Sequence, residues 1–388
     1  MRRSPISGGR RPASPGQANK KLTSMEEKYL MSAKRINALR KKLRESNLDG
    51  LIVTHLDFIR YLTGFSGSAG LLVIGSNGAE FLTDFRYKDQ SRKEVAGARV
   101  HIARGGDLLE GLKDLKGLAD RNTRYGIDAA HLTLAQHTRL RKVWPGVLLA
   151  NAEDVLADLG WVKEPEELAA IRKAAAVSDT AFERVLSLVA PGIRERELAA
   201  ELEYQMMMLG SSKPAFETIV ASGWRAALPH GAASDKKIEK GDFITFDFGA
   251  TIDGYVSDIT RTVVVGKASP RQRKIYDIVL RAQLAGIRKV RAGVAGKAVD
   301  NVCRGIIKRA GYDKHFGHGT GHGIGYYVHV GPRLSPLSND ILQPNNVVTV
   351  EPGIYISGWG GVRIEDDVVV TRGGGKVLNR APKNLLEL

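Results

Sequence analysis

Cysteine is nearly absent from this chain. Of 388 residues only Cys303 carries a thiol, so an internal disulfide and a zinc site built from several thiolates are both excluded. Such usage agrees with a reducing compartment. Cys303 lies in a helical pattern, "VDNVCRGIIKRAG", where a small buried apolar group is expected rather than a nucleophile. Long apolar runs are missing as well: no segment reaches the ~18 residues of a membrane span, and the N-terminus lacks the roughly 7–15-residue apolar core of a secretory signal. A cytoplasmic protein is expected. Aromatic residues are only 6% of the chain, and no Lys/Arg block is interleaved with them to track a nucleic-acid strand. Acidic residues are absent from Met1–Ser24, which holds six basic ones and much Ser, Pro and Gly. That stretch accounts for more than a third of the net charge of +16. The remaining excess reads as a solvated basic surface, so neither a membrane nor a specific nucleic acid is expected as partner.

What is present is an ordinary apolar fraction, 43%, in a chain long enough for two cores. Residues 1–30 read as a basic tail too polar to fold alone, with disorder expected from its composition. Beyond it, "SAKRINALRKKLRESNLDG" spaces Ile36, Leu39 and Leu43 as a helix that Gly50 is expected to end, and "LIVT" follows as a buried strand. Short apolar runs at Leu71–Ile74, Glu80–Leu82, Arg99–Ile102 and Val147–Leu149 then alternate with helical segments, the pattern of an α/β domain over 31–160. At "WVKEPEEL" the pattern changes: Pro165, with Glu164, Glu166 and Glu167 around it, suits the first turn of a long helix. A second domain is expected over 161–388. It is an α+β unit whose glycine-punctuated runs read as antiparallel hairpins, interrupted by helices near 271–291 and 298–310.

Two of these hairpins are acidic. In "FDFGATIDGYVSD" a turn centred on Ile252–Asp253 places Asp247 opposite Asp258, with Cβ atoms about 4.5–5.5 Å apart on one face. In "TVEPGIYISGWGGVRIED" a turn about Gly358 places Glu351 opposite Glu365. All four lie in apolar runs. Buried without compensation they would cost several kcal/mol each or take up protons, and a pair of divalent cations removes the conflict. Between the hairpins lies "FGHGTGHGIGYYVHVGP", whose glycines forbid a stable helix. On an extended chain 318, 320 and 322 share a face. The run fits neither GxGxxG nor GxxxxGK[ST], and HExxH is absent. His318, His322 and His329 therefore read as metal ligands and proton carriers, with His230 of "ALPHGAASD" as a weaker candidate.

In order along the chain, "LPHG", "DFGATIDGYVSDITRT", "HGTGHGIG", "VEPGIYI" and "VRIED" resemble the metallopeptidases of the creatinase/prolidase/methionine aminopeptidase superfamily, family M24. The likeness is greatest to Xaa-Pro aminopeptidases and Xaa-Pro dipeptidases, and "YLTGFSGSAG" and "LTDFRY" resemble the family's smaller creatinase-like domain. It implies a C-terminal "pita-bread" fold, a curved antiparallel sheet backed by helices. It further implies that Asp247 is the terminal ligand of one metal, that Asp258 and Glu365 bridge two metals, and that His322 and Glu351 complete the other. His230 and His329 resemble the family's substrate-binding and proton-shuttling histidines, Glu351 assists proton transfer, and His318 and Arg363 orient ligands and offset their charge. A carboxylate-rich set with one imidazole favours manganese, with cobalt or zinc as substitutes.

The expected activity is that of a dinuclear aminopeptidase acting on proline-containing peptides, in which a metal-activated hydroxide cleaves the bond before proline. A prolidase restricted to Xaa-Pro dipeptides is the alternative, and a non-catalytic binding module on the same fold is the alternative of another class. A homodimer is expected by the same resemblance. Val330 after His329, and Trp224–Arg225 before His230, depart from the family pattern and bear on substrate contacts.

Overall fold

The computed structural model describes residues 24–115, 118 and 122–388, so most of the expected tail lies outside the described residues. Its last part is not tail-like: a helix runs over Ser24–Glu45 and buries Ile36, Leu39 and Leu43. That helix does not reach Gly50. Asn47 turns the chain through a left-handed conformation (φ 54°), and Gly50 instead opens a strand at a point where a Cβ would stand 2.3 Å from the Tyr125 ring.

Six strands form the N-terminal sheet: β1 (Gly50–Val53), β2 (Leu71–Gly75), β3 (Ala79–Thr83), β4 (Arg99–Ile102), β5 (Arg124–Ile127) and β6 (Leu148–Asn151), in the order β4-β3-β2-β1-β5-β6. The pairs β1/β2 and β2/β3 are antiparallel and the rest parallel. Apolar runs marked β1 to β4 and β6, whereas β5, "RYGI", is short and broken by Gly126. It is nevertheless central, because β1 and β6 both pair with it.

Pro165 is the first residue of helix Pro165–Leu186, and Glu164 caps it through a reciprocal bond with Glu167. This helix ties the two halves together: Glu167, 1% exposed, pairs with Arg35 at 3.3 Å. From the other side Tyr326 joins the N-terminal core and donates its hydroxyl to the Leu159 carbonyl at 3.0 Å.

The C-terminal half is built twice over. In the first unit β7 (Ile219–Ser222), β8 (Phe243–Phe248) and β11 (Ile259–Val264) form an antiparallel sheet, with the short pair β9 (Thr251–Ile252) and β10 (Tyr255–Val256) between the last two. Ile244, Phe246, Phe248, Ile259 and Val263 pack on helices Pro165–Leu186 and Glu195–Met208. In the second, β12 (Gly321–Gly323), β13 (Val330–Leu334), β14 (Val347–Val350), β17 (Asp366–Val370) and β18 (Gly375–Val377) form a five-stranded sheet. There Val348, Val350, Val368 and Val370 pack on helices Pro270–Lys289 and Gly296–Arg309. Alternation along a strand sends every second side chain the other way, and there the polar residues collect: Thr245, Asp247, Thr260 and Thr262 in one sheet, Thr349 and Asp367 in the other. This is the antiparallel, helix-backed arrangement expected of the pita-bread fold. Among the described residues no helix is long and apolar enough to cross a membrane.

Candidate metal centre

The first acidic hairpin turns one residue later than its sequence suggested. Ile252 pairs with Tyr255 and Asp247 with Thr260, so the two-residue turn is Asp253–Gly254. Both take positive φ (52° and 86°), the requirement of the tight turn that matches strand twist. Asp258 is therefore a diagonal neighbour of Asp247 on the same face rather than its direct partner. The second hairpin has the expected register. Gly353 pairs with Arg363 across β15 (Gly353–Ile356) and β16 (Gly360–Arg363), and Val350 pairs with Asp366 across β14 and β17. Glu351 and Glu365 sit opposite each other between these two ladders. Their amides leave the hairpin: Glu351 N–H donates to the Thr320 carbonyl at 2.7 Å and Glu365 N–H to the Thr260 carbonyl at 3.1 Å. The second of these bonds stitches the two acidic hairpins together.

The histidine-glycine segment is extended over β12 and again where β13 begins at Val330. Its glycines admit neighbouring backbone: a Cβ at Gly321 would lie 2.1 Å from the Thr349 carbonyl oxygen, and one at Gly323 equally close to that of Gly331. The expectation of one shared face for 318, 320 and 322 fails at Thr320. Its hydroxyl turns away to Asp300 at 2.9 Å, a carboxylate that Arg304 also holds. His318 and His322 do reach the same cavity.

That cavity, of about 500 Å³, is lined by His230, Asp247, Asp258, His318, His322, His329, Glu351, Arg363 and Glu365, and by Val330 and Arg333. All nine site residues singled out from the sequence are thus brought together. Ligand atoms of Asp258, His322 and Glu365 lie within 4.8 Å of one another. His322 Nε2 stands 3.7 Å from Asp258 Oδ2 and 3.4 Å from Glu351 Oε1. The other ring nitrogen, Nδ1, is 3.1 Å from the Gly323 carbonyl and is its donor, which leaves a lone pair at Nε2 facing two carboxylates.

Burial, and then His329, whose ring centroid is 4.4 Å away, push His322 down to about 3, so no proton on the ring relieves this contact. Burial and the neighbouring carboxylates hold Asp258 and Glu365 well above the ordinary carboxylate range. Burial likewise raises Glu351 to about 7 against the opposing pull of Arg363. Asp247 Oδ1 is buried without a hydrogen-bond partner. A neutral imidazole, crowded carboxylates and an orphaned buried oxygen form a donor set that fits divalent cations. Asp247, Asp258, His322, Glu351 and Glu365 are the residues that could hold them.

Five further side chains support this set. Arg363, 3% exposed, donates to Asp247 Oδ2 at 2.5 Å, the Tyr355 hydroxyl at 2.8 Å and Thr260 Oγ1 at 3.0 Å. Thr260 in turn donates to Glu365 Oε2 at 2.6 Å. The Tyr355 hydroxyl lies 2.8 Å from His318 Nε2, while His318 Nδ1 donates to its neighbour's carbonyl. Burial and the Arg363 charge push His318 down to about 4, so it accepts from Tyr355 as a neutral ring. Asp367 accepts the Asp258 amide at 3.0 Å. Sequence reasoning singled out Arg363 and His318 but missed Thr260, Tyr355, Asp367 and Arg333. Thr260 and Asp367 could have been found as same-face neighbours of ligands once the registers were known; Arg333 had no signal.

The departures near His230 separate. Arg225 is internal, donating to Glu195 Oε2 at 3.0 Å and to the Ala232 carbonyl at 2.6 Å. Fully buried Glu195 also accepts from Ser222 and Ser234. Together they clamp the loop that carries His230. Trp224, 53% exposed, does not line the cavity; Val330 does.

Residues 169–372 match the family model of Metallopeptidase family M24, and residues 35–159 that of the Creatinase/Prolidase N-terminal domain. A Xaa-Pro dipeptidase of Pyrococcus horikoshii is 37% identical over 348 residues, 88% of this chain and 95% of that protein. A Bacillus subtilis peptidase is 42% identical over 355 residues, 91% of this chain and the whole of the other. Among solved structures, a Xaa-Pro dipeptidase from Bacillus anthracis superposes with a TM-score of 0.87 at 40% identity, over 92% of this chain and all of its own. An X-Pro aminopeptidase from Thermotoga maritima gives 0.82 at 36% identity, over 90% of this chain and all of its own.

Proposed function

Because the chain belongs to metallopeptidase family M24, we propose that it hydrolyses the Xaa-Pro bond of dipeptides at a pair of divalent ions, manganese by the hardness of the ligand set. The observation that carries this reading is the convergence of Asp247, Asp258, His322, Glu351 and Glu365 in one cavity. Bound ions would supply Lewis acidity and a water of lowered pKa. The protein's own groups do the rest. Glu351, raised to about 7, is poised to take up and return a proton near neutral pH. His230 and His329, exposed and lining the cavity, are placed to hold the substrate carbonyl and carry a proton toward the leaving proline nitrogen. Arg363 and Thr260 fix the carboxylates, and His318 is held neutral behind them.

The restriction to dipeptides is supported by Arg333. It lines the cavity, and among the described residues its guanidinium makes no ion pair, which leaves it free for the carboxylate of a C-terminal proline. Named Xaa-Pro dipeptidases among the relatives point the same way. An aminopeptidase that releases the first residue of longer Xaa-Pro peptides is the second reading, favoured by the likeness to the Thermotoga enzyme. Hydrolysis of Ala-Pro, Ala-Pro-Ala and Ala-Ala with manganese, with and without EDTA, tests both. Chelator-sensitive cleavage of Ala-Pro alone is expected. Release of alanine from Ala-Pro-Ala would replace the dipeptidase reading with the aminopeptidase one, and cleavage of none would overturn the proposal.

A further inference from the structure

A second recess, of about 660 Å³, opens between the N-terminal sheet and the segment that follows β12; it joins the metal cavity at His329, Val330 and Arg333. Its walls are aromatic. His55 stacks on Tyr327 with ring centroids 5.0 Å apart and meets Phe58 edge-on at 5.0 Å, while Phe58 packs at 5.9 Å from Tyr326. Set among these rings are polar groups left unanswered. His55 is 8% exposed, and its Nδ1 has no hydrogen-bond partner, whereas Nε2 bonds the Tyr327 hydroxyl. Asp128 is 7% exposed, and its carboxylate makes no hydrogen bond or ion pair among the described residues. Glu153 lines the outer part of the recess, and burial and then His131, whose ring centroid is 4.0 Å away, hold His55 below its ordinary value against the charges of Asp57 and Asp128.

Buried carboxylates and imidazoles without partners are costly unless a ligand answers them. The ligand's character follows from the walls. Aromatic faces together with carboxylates attract an organic cation, through the ring quadrupole and through charge. In the tautomer that a bound cation selects, Nε2 donates to the Tyr327 oxygen and Nδ1 presents a lone pair, the acceptor that an ammonium or guanidinium needs. A metal ion is not the occupant: among the described residues the ligand atoms that converge are those of Asp258, His322 and Glu365. Continuity with the metal cavity makes the occupant part of the substrate. In an Xaa-Pro dipeptide the proline ring carries no cation and the α-ammonium is held within two bonds of the scissile carbonyl, so the cation that can extend from the metal cavity into the recess is the end of a long side chain on the residue before proline.

We propose that this recess is a specificity subsite for a lysine or arginine side chain on the residue preceding proline, a proposal that rests on the Xaa-Pro reading. The long aliphatic stem would lie on Phe58 and Tyr326 and the charged head beside Asp128 and His55. Arg333, at the junction, belongs to the other end of the substrate and holds its carboxylate.

The test compares kcat/KM for lysyl-proline and norleucyl-proline, which have equal side-chain length and differ in the ammonium, in the manganese-loaded protein. A preference of about tenfold or more for lysyl-proline is expected, falling below about threefold in Asp128→Asn. Glu153→Gln, on the rim, is expected to weaken the preference less and keeps the test open should Asp128→Asn not fold. Calorimetric binding of the same two dipeptides to EDTA-treated protein separates this inference from the activity it rests on. Selective binding without hydrolysis would remove the peptidase reading and leave the subsite. Equal binding and equal turnover of the two dipeptides, or a preference untouched by Asp128→Asn, would overturn the subsite whatever the hydrolysis assay gives.

Discussion

Loading the site with a divalent cation should expel protons from it. In the metal-free protein, burial and mutual repulsion hold Asp258 and Glu365 well above the ordinary carboxylate range, and Glu351 is raised from 4.5 to about 7. At pH 7 Glu351 therefore carries a proton about half the time, and the shifts of Asp258 and Glu365 favour their protonated forms in the same direction. Ligation requires all three deprotonated, so saturation should release protons at pH 7, and apparent affinity should rise with pH there. The same shifts fix the sign of the pH dependence of stability. Between an acid's unfolded pKa and its raised folded pKa the native state binds more protons than the unfolded one, so the metal-free protein loses stability as pH rises through that window. For Glu351 alone, the span from 4.5 to about 7 corresponds to about 3 kcal/mol at ~1.4 kcal/mol per unit. The assay is manganese titration by calorimetry at pH 6, 7 and 8 in two buffers of different ionisation enthalpy, with thermal unfolding of metal-free protein at the same values. Release of no proton at pH 7, or a metal-free Tm that climbs from pH 7 to 8, above the range in which the depressed His318 and His322 make stability rise with pH, would refute the view that these carboxylates are crowded into a cation's place.

Thr260→Val keeps side-chain shape but deletes the hydroxyl between Glu365 and Arg363; metal affinity should fall about 10–100-fold with little change in Tm, measured by calorimetry and unfolding. Gly323→Ala would drive a Cβ to within 2.1 Å of the Gly331 carbonyl oxygen, whereas at Gly317 a Cβ meets nothing within 4 Å. The first substitution should cost about 1–3 kcal/mol or more in denaturant unfolding and the second should be nearly neutral, and equal losses would contradict the close-approach argument.

Much of the architecture was legible because its signals are local. Runs such as "LLVIG" and "VVTV" are continuous and β-branched where strands lie buried, and Pro165 behind Glu164 starts a helix by a rule that needs no tertiary context. β5 was not legible: four residues with Gly126 among them have no period, and the strand exists because β1 and β6 flank it. The helix at Ser24 was obscured by the basic composition before it. Arg333 is a surface arginine among many in the sequence, and only its place on the cavity wall distinguishes it.

The first hairpin explains why the acidic residues could be found although the pairing was misplaced. A turn centred on 252–253 makes paired residues sum to 505, while the observed partners, Asp247 with Thr260 and Ile252 with Tyr255, sum to 507. The difference is two residues, which is the side-chain period of a strand. Every residue therefore keeps its face, and Asp258 moves from opposite Asp247 to diagonal from it while still facing the cavity. Had the difference been one, Asp258 would have turned toward the helices with Ile259's neighbours, and the reading of the site would have failed with the register. The displacement also has a chemical consequence. It puts the Thr260 hydroxyl opposite Asp247, where it serves Arg363 and Glu365 together, so the strand that supplies one acidic ligand also supplies the group that holds another.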